Sequence, residues 1–269
     1  MKDNARTLKR RLKSVQSIGQ MTRAMKTVSL SKYNRALSRL SGIRAYSEQC
    51  QRLLALCGNQ EEKREQNPVL YVLLTANRGL CGAYNLAMWD YAQQVLAAEQ
   101  QPYSLVICGQ WGIDRAKEKH TPHIEKTFVF HDIPTLEEGA ELADYLSEAW
   151  ASNCYSSIYI LLQEFHNILT QVPGKTLLMP LQGLQGTDQD ILFLPGRDDV
   201  MRVVSQKCMQ AQVYEKLLAS AAGAQGASLM AMRTASDNAQ EMASVLERNL
   251  NRLRQSAVTT QVLEIARGN

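Results

Sequence analysis

The sequence predicts an α/β protein in which the N- and C-terminal helices form a long antiparallel coiled coil, accompanied by a Rossmann-like α/β domain with a mostly parallel sheet. Two proline-free end segments carry apolar residues at steps of three and four, which is typical of helices. Between them, short apolar runs alternate with helical patterns, as in a parallel sheet covered by helices. We therefore expect residues 1–58 as the N-terminal helix, 68–184 as the α/β domain and 200–269 as the C-terminal helix.

Charge is distributed unevenly among these parts, although the net charge of the 269 residues is only +4. Residues 1–57 carry 13 lysines and arginines against 2 acidic residues, whereas residues 58–199 carry 9 against 19. Residues 200–269 carry 8 against 5. The chain therefore has a basic N-terminal arm, an acidic middle and a mildly basic C-terminal arm.

The N-terminal segment, residues 4–57, has an apolar face with helical spacing and no proline. A helix of about fifty residues would be about 75 Å long at a rise of 1.5 Å per residue. Such a helix needs a partner of similar length to bury its apolar face. The predicted seam consists of Leu8, Leu12, Val15, Ile18, Met21, Met25 and Val28.

The C-terminal segment, residues 200–265, supplies the matching pattern. Its middle, residues 219–228, reads ASAAGAQGAS, and small residues allow two helices to approach closely. Each glycine there costs about 1 kcal/mol of helix propensity, so a flexible linker is the alternative interpretation. The predicted seam consists of Val204, Cys208, Ala211, Leu218, Ala221, Met232, Ala235, Ala239, Met242, Leu246, Leu250 and Leu253.

The middle of the chain predicts five strands and three helices. The last two strands have no helix between them, so we expect a hairpin at one edge of the sheet. Polar segments 59–68 and 185–199 would link the domain to the two long helices. The predicted strands are 69–76, 104–109, 126–130, 157–165 and 175–181, and the predicted helices are 83–100, 110–120 and 135–153.

The stretch TANRGLCGAYN, residues 75–85, lies between the first strand and the first short helix, where a phosphate-binding loop often occurs. A P-loop would need a lysine after its second glycine, but Ala83 and Tyr84 follow Gly82 here. The G-x-G-x-x-G pattern of dinucleotide sites is missing as well. We interpret the glycines as permitting a tight turn, with Arg78 pairing to a backbone group or a carboxylate.

The sequence has no catalytic or metal-ligating pattern in place of the missing phosphate-binding loop. The six cysteines are scattered singly and the four histidines have no zinc spacing, so we expect reduced thiols, no metal and no cofactor. The chain has no apolar run long enough to span a bilayer. By itself it is not expected to be an enzyme.

The basic N-terminal arm supports a second hypothesis, a coiled-coil protein that binds nucleic acid or serves as a scaffold. Thirteen cations could neutralise phosphates. Aromatic residues for base stacking are scarce there, because only Tyr33 and Tyr46 occur in the first 57 residues. Cations that meet acidic protein partners fit this composition at least as well.

Four segments resemble the gamma subunit of F-type ATP synthases, in the same order and spacing from one end of the chain to the other. These are RRLKSVQSIGQMTRAMKTVSLSKYNRA (10–36), NRGLCGAYN (77–85), MAMRTASDNA (230–239) and RNLNRLRQSAVTTQVLEIARG (248–268).

The resemblance implies a rotor shaft that couples ion-driven rotation of the c ring to conformational changes at the catalytic alpha–beta interfaces, for ATP synthesis or hydrolysis. It implies alpha, beta and epsilon subunits and the c-subunit ring as partners, with no nucleic acid. It also implies a position peripheral to the inner membrane of a bacterium, on its cytoplasmic side.

The resemblance also implies contact residues. Arg254, Gln255 and Thr259 match the block that meets a beta subunit, and Met25 matches a position facing beta's acidic segment. Packing against the partner helix is the alternative role for Met25, and solvation is the alternative for Lys32 and Arg35. The implied c-ring contacts are Ser31, Lys32, Arg35, Phe193 and Pro195.

The chain departs from the family pattern in three places. Leu194 stands where a glutamate is usual, Ala224 precedes Gln225 where many relatives have an acid, and the tail is reduced to Gly268-Asn269. These differences suggest a divergent bacterial relative.

Overall fold

The computed structural model describes residues 2–57, 67–181 and 196–268, which form five helices and five strands. The chain divides into two compact units, residues 1–29 with 228–269, and residues 30–227. The helices are α1 (Lys2–Cys57), α2 (Tyr84–Ala98), α3 (Gln110–Glu118), α4 (Leu136–Ala151) and α5 (Arg197–Arg267), and the strands are β1 (Val69–Leu74), β2 (Tyr103–Cys108), β3 (Ile124–Phe128), β4 (Ser157–Phe165) and β5 (Gln171–Met179).

The first unit is a pair of antiparallel helices, formed by the beginning of α1 and the second part of α5. Gln16 Nε2 donates to Glu247 Oε1 at 3.1 Å, and Arg23 Nη2 donates to Gln240 Oε1 at 3.0 Å. Partner numbers fall as the α1 numbers rise, which is the antiparallel order. The predicted two-helix arrangement is therefore confirmed in this unit.

The seam between these helices agrees with the prediction in part. The predicted Leu8, Leu12, Val15 and Met25 are half-buried, but Gly19, Thr22 and Ser29 are buried in place of three large neighbours. A Cβ atom added to Gly19 would lie 3.4 Å from Ala239 Cβ, so the helix axes approach too closely for large side chains. The predicted residues found exposed are Ile18 (54%), Met21 (64%) and Val28 (53%) on α1 and Met242 (55%) on α5.

The second unit contains a five-stranded sheet in the order β3-β2-β1-β4-β5. The first four strands are parallel, and β5 pairs antiparallel with β4 at the edge, as the predicted hairpin requires. Helices α2 and α3 cover one face of the sheet with residues such as Met88 and Ile113. The other face is covered by α4, by the first part of α5 and by the end of α1, through residues such as Leu54, Leu146 and Leu217.

The strand boundaries agree with the sequence patterns to within two residues, except at the start of β5. Strand β4 spans the predicted residues, whereas β5 begins four residues before the predicted Lys175. The added part includes Pro173, which pairs with Gln163 of β4. Proline lacks a backbone N–H and is tolerated only on an edge strand, which is the position of β5. Pairing with β4 thus outweighs the unfavourable local sequence.

Small residues in the first part of α5 bring other elements close to this helix. A Cβ on Gly223 would lie 3.1 Å from Tyr84 Cε2, and a Cβ on Gly226 would lie 3.4 Å from Tyr33 Cε2. Residues 219–228 are helical throughout, so the linker alternative is wrong. The small residues serve close packing, as the pattern predicted.

Two glycine-to-alanine substitutions in helices should change stability in opposite directions. Gly42 in α1 is exposed with nothing within 4 Å of an added Cβ, so G42A should raise the free energy of unfolding by about 1 kcal/mol. An added Cβ on Gly139 in α4 would lie 2.8 Å from Tyr214 Cδ2 and 3.0 Å from Tyr214 Cβ. We expect G139A to lower the free energy of unfolding by about 1–3 kcal/mol, because the ring cannot move without disturbing α5.

Urea unfolding followed by circular dichroism measures both variants. A stabilised G139A variant would contradict the close packing of α4 on α5, whereas a destabilised G42A variant would contradict the open surroundings of Gly42.

Candidate functional site

The β1–α2 loop lies at the carboxyl edge of the sheet, between the ends of the neighbouring strands. Its side chains bind backbone N–H groups at the start of α3. Thr75 Oγ1 donates to the Cys108 carbonyl at 3.1 Å and accepts from the Gly112 N–H at 3.1 Å. Asn77 Oδ1 accepts from the Gln110 N–H at 3.2 Å. The N–H groups at the start of α3, which could otherwise bind an anion, are thus used by loop side chains.

Asn85 fixes the other end of the loop. It is buried, its Oδ1 accepts from the Ala76 N–H at 2.9 Å, and its Nδ2 donates to the Arg78 carbonyl at 3.2 Å. Gly109, on the neighbouring β2–α3 turn, has a φ of 105°, and an added Cβ would lie 2.2 Å from the Thr75 carbonyl oxygen. Only glycine fits there, and the loop is held in one conformation.

Strand β1 pairs with β2 on one side and β4 on the other. The chain runs outward from β1 through β2 to β3 and then crosses to β4, so the strand order reverses between β1 and β4. Open α/β sheets commonly bind ligands in the crevice at such a switch point. In this protein α5 fills the crevice. The buried Tyr84 hydroxyl donates to the Ser220 carbonyl at 2.9 Å, and Cys81 and Ala224 pack beside it. Burial raises the pKa of Tyr84, which therefore stays protonated and keeps donating.

A charged cluster occupies the same edge of the sheet, where α1 meets the β3–α4 loop. Lys32 Nζ lies 2.5 Å from Asp132 Oδ2, and both side chains are partly buried. Burial alone would raise the pKa of Asp132, but Lys32, Arg78 and the Asn77 amide together hold it below its ordinary value. We call Lys32, Asn77, Arg78 and Asp132 the Asp132 cluster. The sequence patterns pointed to Arg78 pairing with a carboxylate, but nothing in them pointed to Asp132.

The other residues implied to contact the c ring are not brought into this cluster. Ser31 and Arg35 are exposed on α1. Phe193 and Pro195 lie outside the described residues. Their contacts, and a contact of Lys32 with a partner in addition to Asp132, stay predictions.

The residues implied to contact a beta subunit all belong to the first unit. Met25 of α1 is half-buried, whereas Arg254, Gln255 and Thr259 of α5 are exposed. The Thr259 hydroxyl donates to the Gln255 carbonyl at 3.0 Å, one turn back in the same helix. The guanidinium group of Arg254 and the amide group of Gln255 are exposed on adjacent residues of α5, so both can bind a partner.

The first unit also exposes large apolar side chains and many cations. On α1 the exposed cations include Arg6, Lys9, Arg10 and Lys13, whose spacing places them on one helical face. A narrow helical pair with such a surface is suited to contact with other proteins. The exposed apolar residues are Ile18, Met21 and Val28 on α1 and Met242, Val245, Val258, Val262 and Leu263 on α5.

Residues 2–57, 67–181 and 196–268 contain neither a metal-binding group nor a membrane-spanning helix. These ranges hold no group of three or more His, Cys, Asp or Glu placed to bind a metal ion. Their helices are also too short or too polar to cross a lipid bilayer. The cysteines described there are free thiols, and burial raises the pKa of Cys81 and Cys208.

Comparison with known proteins identifies the family. The family model described as ATP synthase matches residues 4–269. The ATP synthase gamma chain of Desulfitobacterium hafniense is 30% identical over 98% of each chain, and that of Symbiobacterium thermophilum is 31% identical over 100% of this chain and 98% of its own length. The chain belongs to the ATP synthase gamma family. As a gamma chain it is a non-catalytic subunit, since the catalytic sites of the complex lie in the beta subunits.

Solved structures agree with the fold. The rotor of the Euglena gracilis mitochondrial ATP synthase matches with a TM-score of 0.70 and 17% identity, covering 96% of this chain and 100% of that one. The central stalk and c-ring structure of the Tetrahymena thermophila enzyme matches with a TM-score of 0.65 and 21% identity, covering 80% and 99%. These structures show the same fold, and the gamma chains that match the sequence give no support to a nucleic-acid-binding or scaffold protein.

The ion pair of Asp132 should make stability depend on pH. Its folded pKa lies below the unfolded value of about 3.9, so its stabilisation is complete above that pH and is lost as the pH falls through the folded pKa. We expect D132N to lower the free energy of unfolding by about 1 kcal/mol at about pH 7. The difference should shrink as the pH falls below about 3.9 and should disappear once the wild-type carboxyl is protonated.

Urea unfolding across this pH range tests the prediction. The control is E118Q, which removes the Arg115–Glu118 ion pair on the surface of α3. Equal destabilisation of D132N at both ends of the range would show that the charge of Asp132 does not contribute.

Proposed function

We propose that this gamma chain is the central rotor shaft of an F-type ATP synthase and couples rotation of a c ring to the catalytic alpha–beta interfaces. The observation that carries the proposal is the first unit, in which two antiparallel helices bury small residues and expose large apolar and cationic ones. A protein that binds a single partner at one site does not need apolar and cationic residues exposed around both helices. A shaft that is contacted on several sides needs such a surface.

The physical requirement on a shaft is a difference in contact free energy. Three equivalent partner sites adopt different states only if the shaft offers each of them a different surface. One side of the first unit presents Ile18 and Met21, whereas the cations Arg6, Lys9 and Arg10 crowd the beginning of α1. Apolar contacts are non-directional and individually weak, so each can be released as the shaft turns.

We assign the beta-subunit contacts to Met25, Arg254, Gln255 and Thr259. Arg254 and Gln255 offer several donors from one level of α5, and a hydrogen bond to a charged group contributes about 1.5–3 kcal/mol. The unbranched, polarizable side chain of Met25 can pass an acidic segment of beta without forming an ion pair.

We assign the c-ring contacts to Ser31, Lys32, Arg35, Phe193 and Pro195, and we expect the epsilon subunit to bind the α/β domain. The complex would place the chain at the cytoplasmic side of a bacterial inner membrane, as a peripheral subunit. The family names of the relatives support this assembly, because they are gamma chains of bacterial ATP synthases.

The beta-subunit contacts assigned to Arg254 and Gln255 can be tested by substitution. In a complex assembled from alpha, beta and this chain, we expect R254A/Q255A to lower sustained ATP hydrolysis about tenfold or more, because two charge-assisted contacts are lost. A sizing column checks that the variant still assembles. The matched control is N251A/R252A, which removes two exposed side chains from the preceding turn of the same helix.

Unchanged hydrolysis by the assembled R254A/Q255A complex would mean that the shaft acts through distributed packing, and the assignment of these residues would be dropped. Failure of the wild-type chain to associate with alpha and beta would contradict the proposed function itself.

The second prediction concerns Met25. A lysine there would form an ion pair with the acidic segment of beta, so we expect M25K to slow ATP hydrolysis at low salt. The Debye length is about 10 Å at 0.1 M salt and shortens as salt is added, which weakens exposed ion pairs. Added salt should therefore restore part of the rate. M25L is the uncharged control. A loss that does not respond to salt, or no loss, would contradict an acidic partner at this position.

A further inference from the structure

Helix α1 contacts the β3–α4 loop through two polar side chains on one of its faces. Lys32 Nζ lies 2.5 Å from Asp132 Oδ2, and Arg39 Nη1 donates to the Pro134 carbonyl at 3.1 Å. Lys32 and Arg39 are seven residues apart, which is two helical turns, so both project from the same side of α1. They contact the same short loop two residues apart.

The β3–α4 loop also contacts the β1–α2 loop. Asn77 Nδ2 donates to the Phe130 carbonyl, two residues before Asp132. Burial raises the pKa of Asp132, but the charges of Lys32 and Arg78 lower it. The long helix and the two loops are therefore neighbours at this edge of the sheet.

Apart from an ion pair of Arg44 Nε with Glu215 Oε1 of α5 at 3.6 Å, the remaining contacts of α1 in this unit are mainly apolar. Leu40 packs with Tyr214 and Leu218 of α5, and the Tyr33 ring meets the Phe165 ring edge-on at 6.1 Å between centroids. Apolar packing sets how close a helix lies but constrains its rotation about its own axis weakly, because the attraction has no direction. Hydrogen bonds and ion pairs on one face do have a direction.

We infer that Asp132 is a positioning residue, which sets the rotation of α1 about its axis against the carboxyl edge of the sheet. Lys32 is then held by the protein's own carboxylate, in addition to its proposed contact with the c ring. A second role of Asp132 rests on the proposed function. In a rotor shaft, Asp132 keeps α1 and the sheet turning together when the complex rotates.

The first experiment uses the full chain alone. Spin-labelled amino acids that need no thiol replace two exposed residues, Asn34 on α1 and Leu136 at the start of α4, and double electron–electron resonance gives their distance distribution. In D132N we expect the population of displaced distances to rise about fivefold, which corresponds to about 1 kcal/mol. The distribution of the control E118Q should match that of the wild type.

A charge exchange separates positioning from general destabilisation. K32D/D132K restores an ion pair across the same two positions, so we expect its distance distribution to return towards that of the wild type. A distribution unchanged in D132N would overturn the inference. A broadened distribution in D132N that K32D/D132K leaves equally broad would overturn the role of the ion pair.

The second experiment uses the complete ATP synthase in sealed vesicles, where ions pumped and ATP hydrolysed are measured together. We expect fewer ions per ATP with D132N, recovery with K32D/D132K and no change with E118Q. A D132N chain with a broadened distribution but wild-type ion pumping per ATP would overturn the part of the inference that concerns rotation. If the wild-type chain itself fails to assemble or to pump, the proposed function fails, and the distance measurement still decides the positioning role.

Discussion

The close approach of the two helices in the first unit determines which of its side chains can reach a partner. With an added Cβ at Gly19 only 3.4 Å from Ala239 Cβ, this level of the interface admits only small residues, although Leu229 and Met232 of α5 are buried elsewhere in the unit. Thr22 is buried there because its hydroxyl donates to the Ile18 and Gly19 carbonyls of its own helix. Since small residues occupy the seam, Ile18 and Met21 must face outward. A thin helical pair and an apolar outer surface are thus two consequences of one packing constraint.

In the second unit the same kind of packing closes a crevice that related architectures use for ligands. The switch point beside β1 is available in principle, but Tyr84 and the small residues Ser220 and Gly223 of α5 occupy it. The N–H groups at the start of α3 that could bind a phosphate instead donate to Thr75 and Asn77, and the Ala76 N–H donates to Asn85. A Rossmann-like sheet therefore serves as a solid body, which agrees with a non-catalytic subunit and illustrates that a fold alone does not define an activity.

The parts of the structure that follow local periodicity could be predicted from the sequence, and the parts that depend on long-range contacts could not. Strand β4 was predicted to its ends because its apolar residues form one continuous run. In the predicted seam of α1, Leu8, Leu12, Val15 and Met25 are half-buried as expected. Ile18, Met21 and Val28 instead lie one position before the buried Gly19, Thr22 and Ser29, because apolarity was used as the signal. No local pattern could reveal the partnership of Lys32 with Asp132, since the two residues are 100 positions apart.

The two kinds of contact made by α1 suit two different tasks. Towards partners, in the first unit, it offers Ile18, Met21 and Val28, whose contacts are weakly directional and can form and break repeatedly. Towards its own sheet, in the second unit, it uses Lys32 and Arg39, whose contacts hold only in one orientation. In the proposed function, α1 changes partners while keeping its own domain in place, and it needs both kinds of contact. The partly buried ion pair adds direction to the apolar packing around Leu40. Directional contacts then only have to select one orientation among several of similar packing energy.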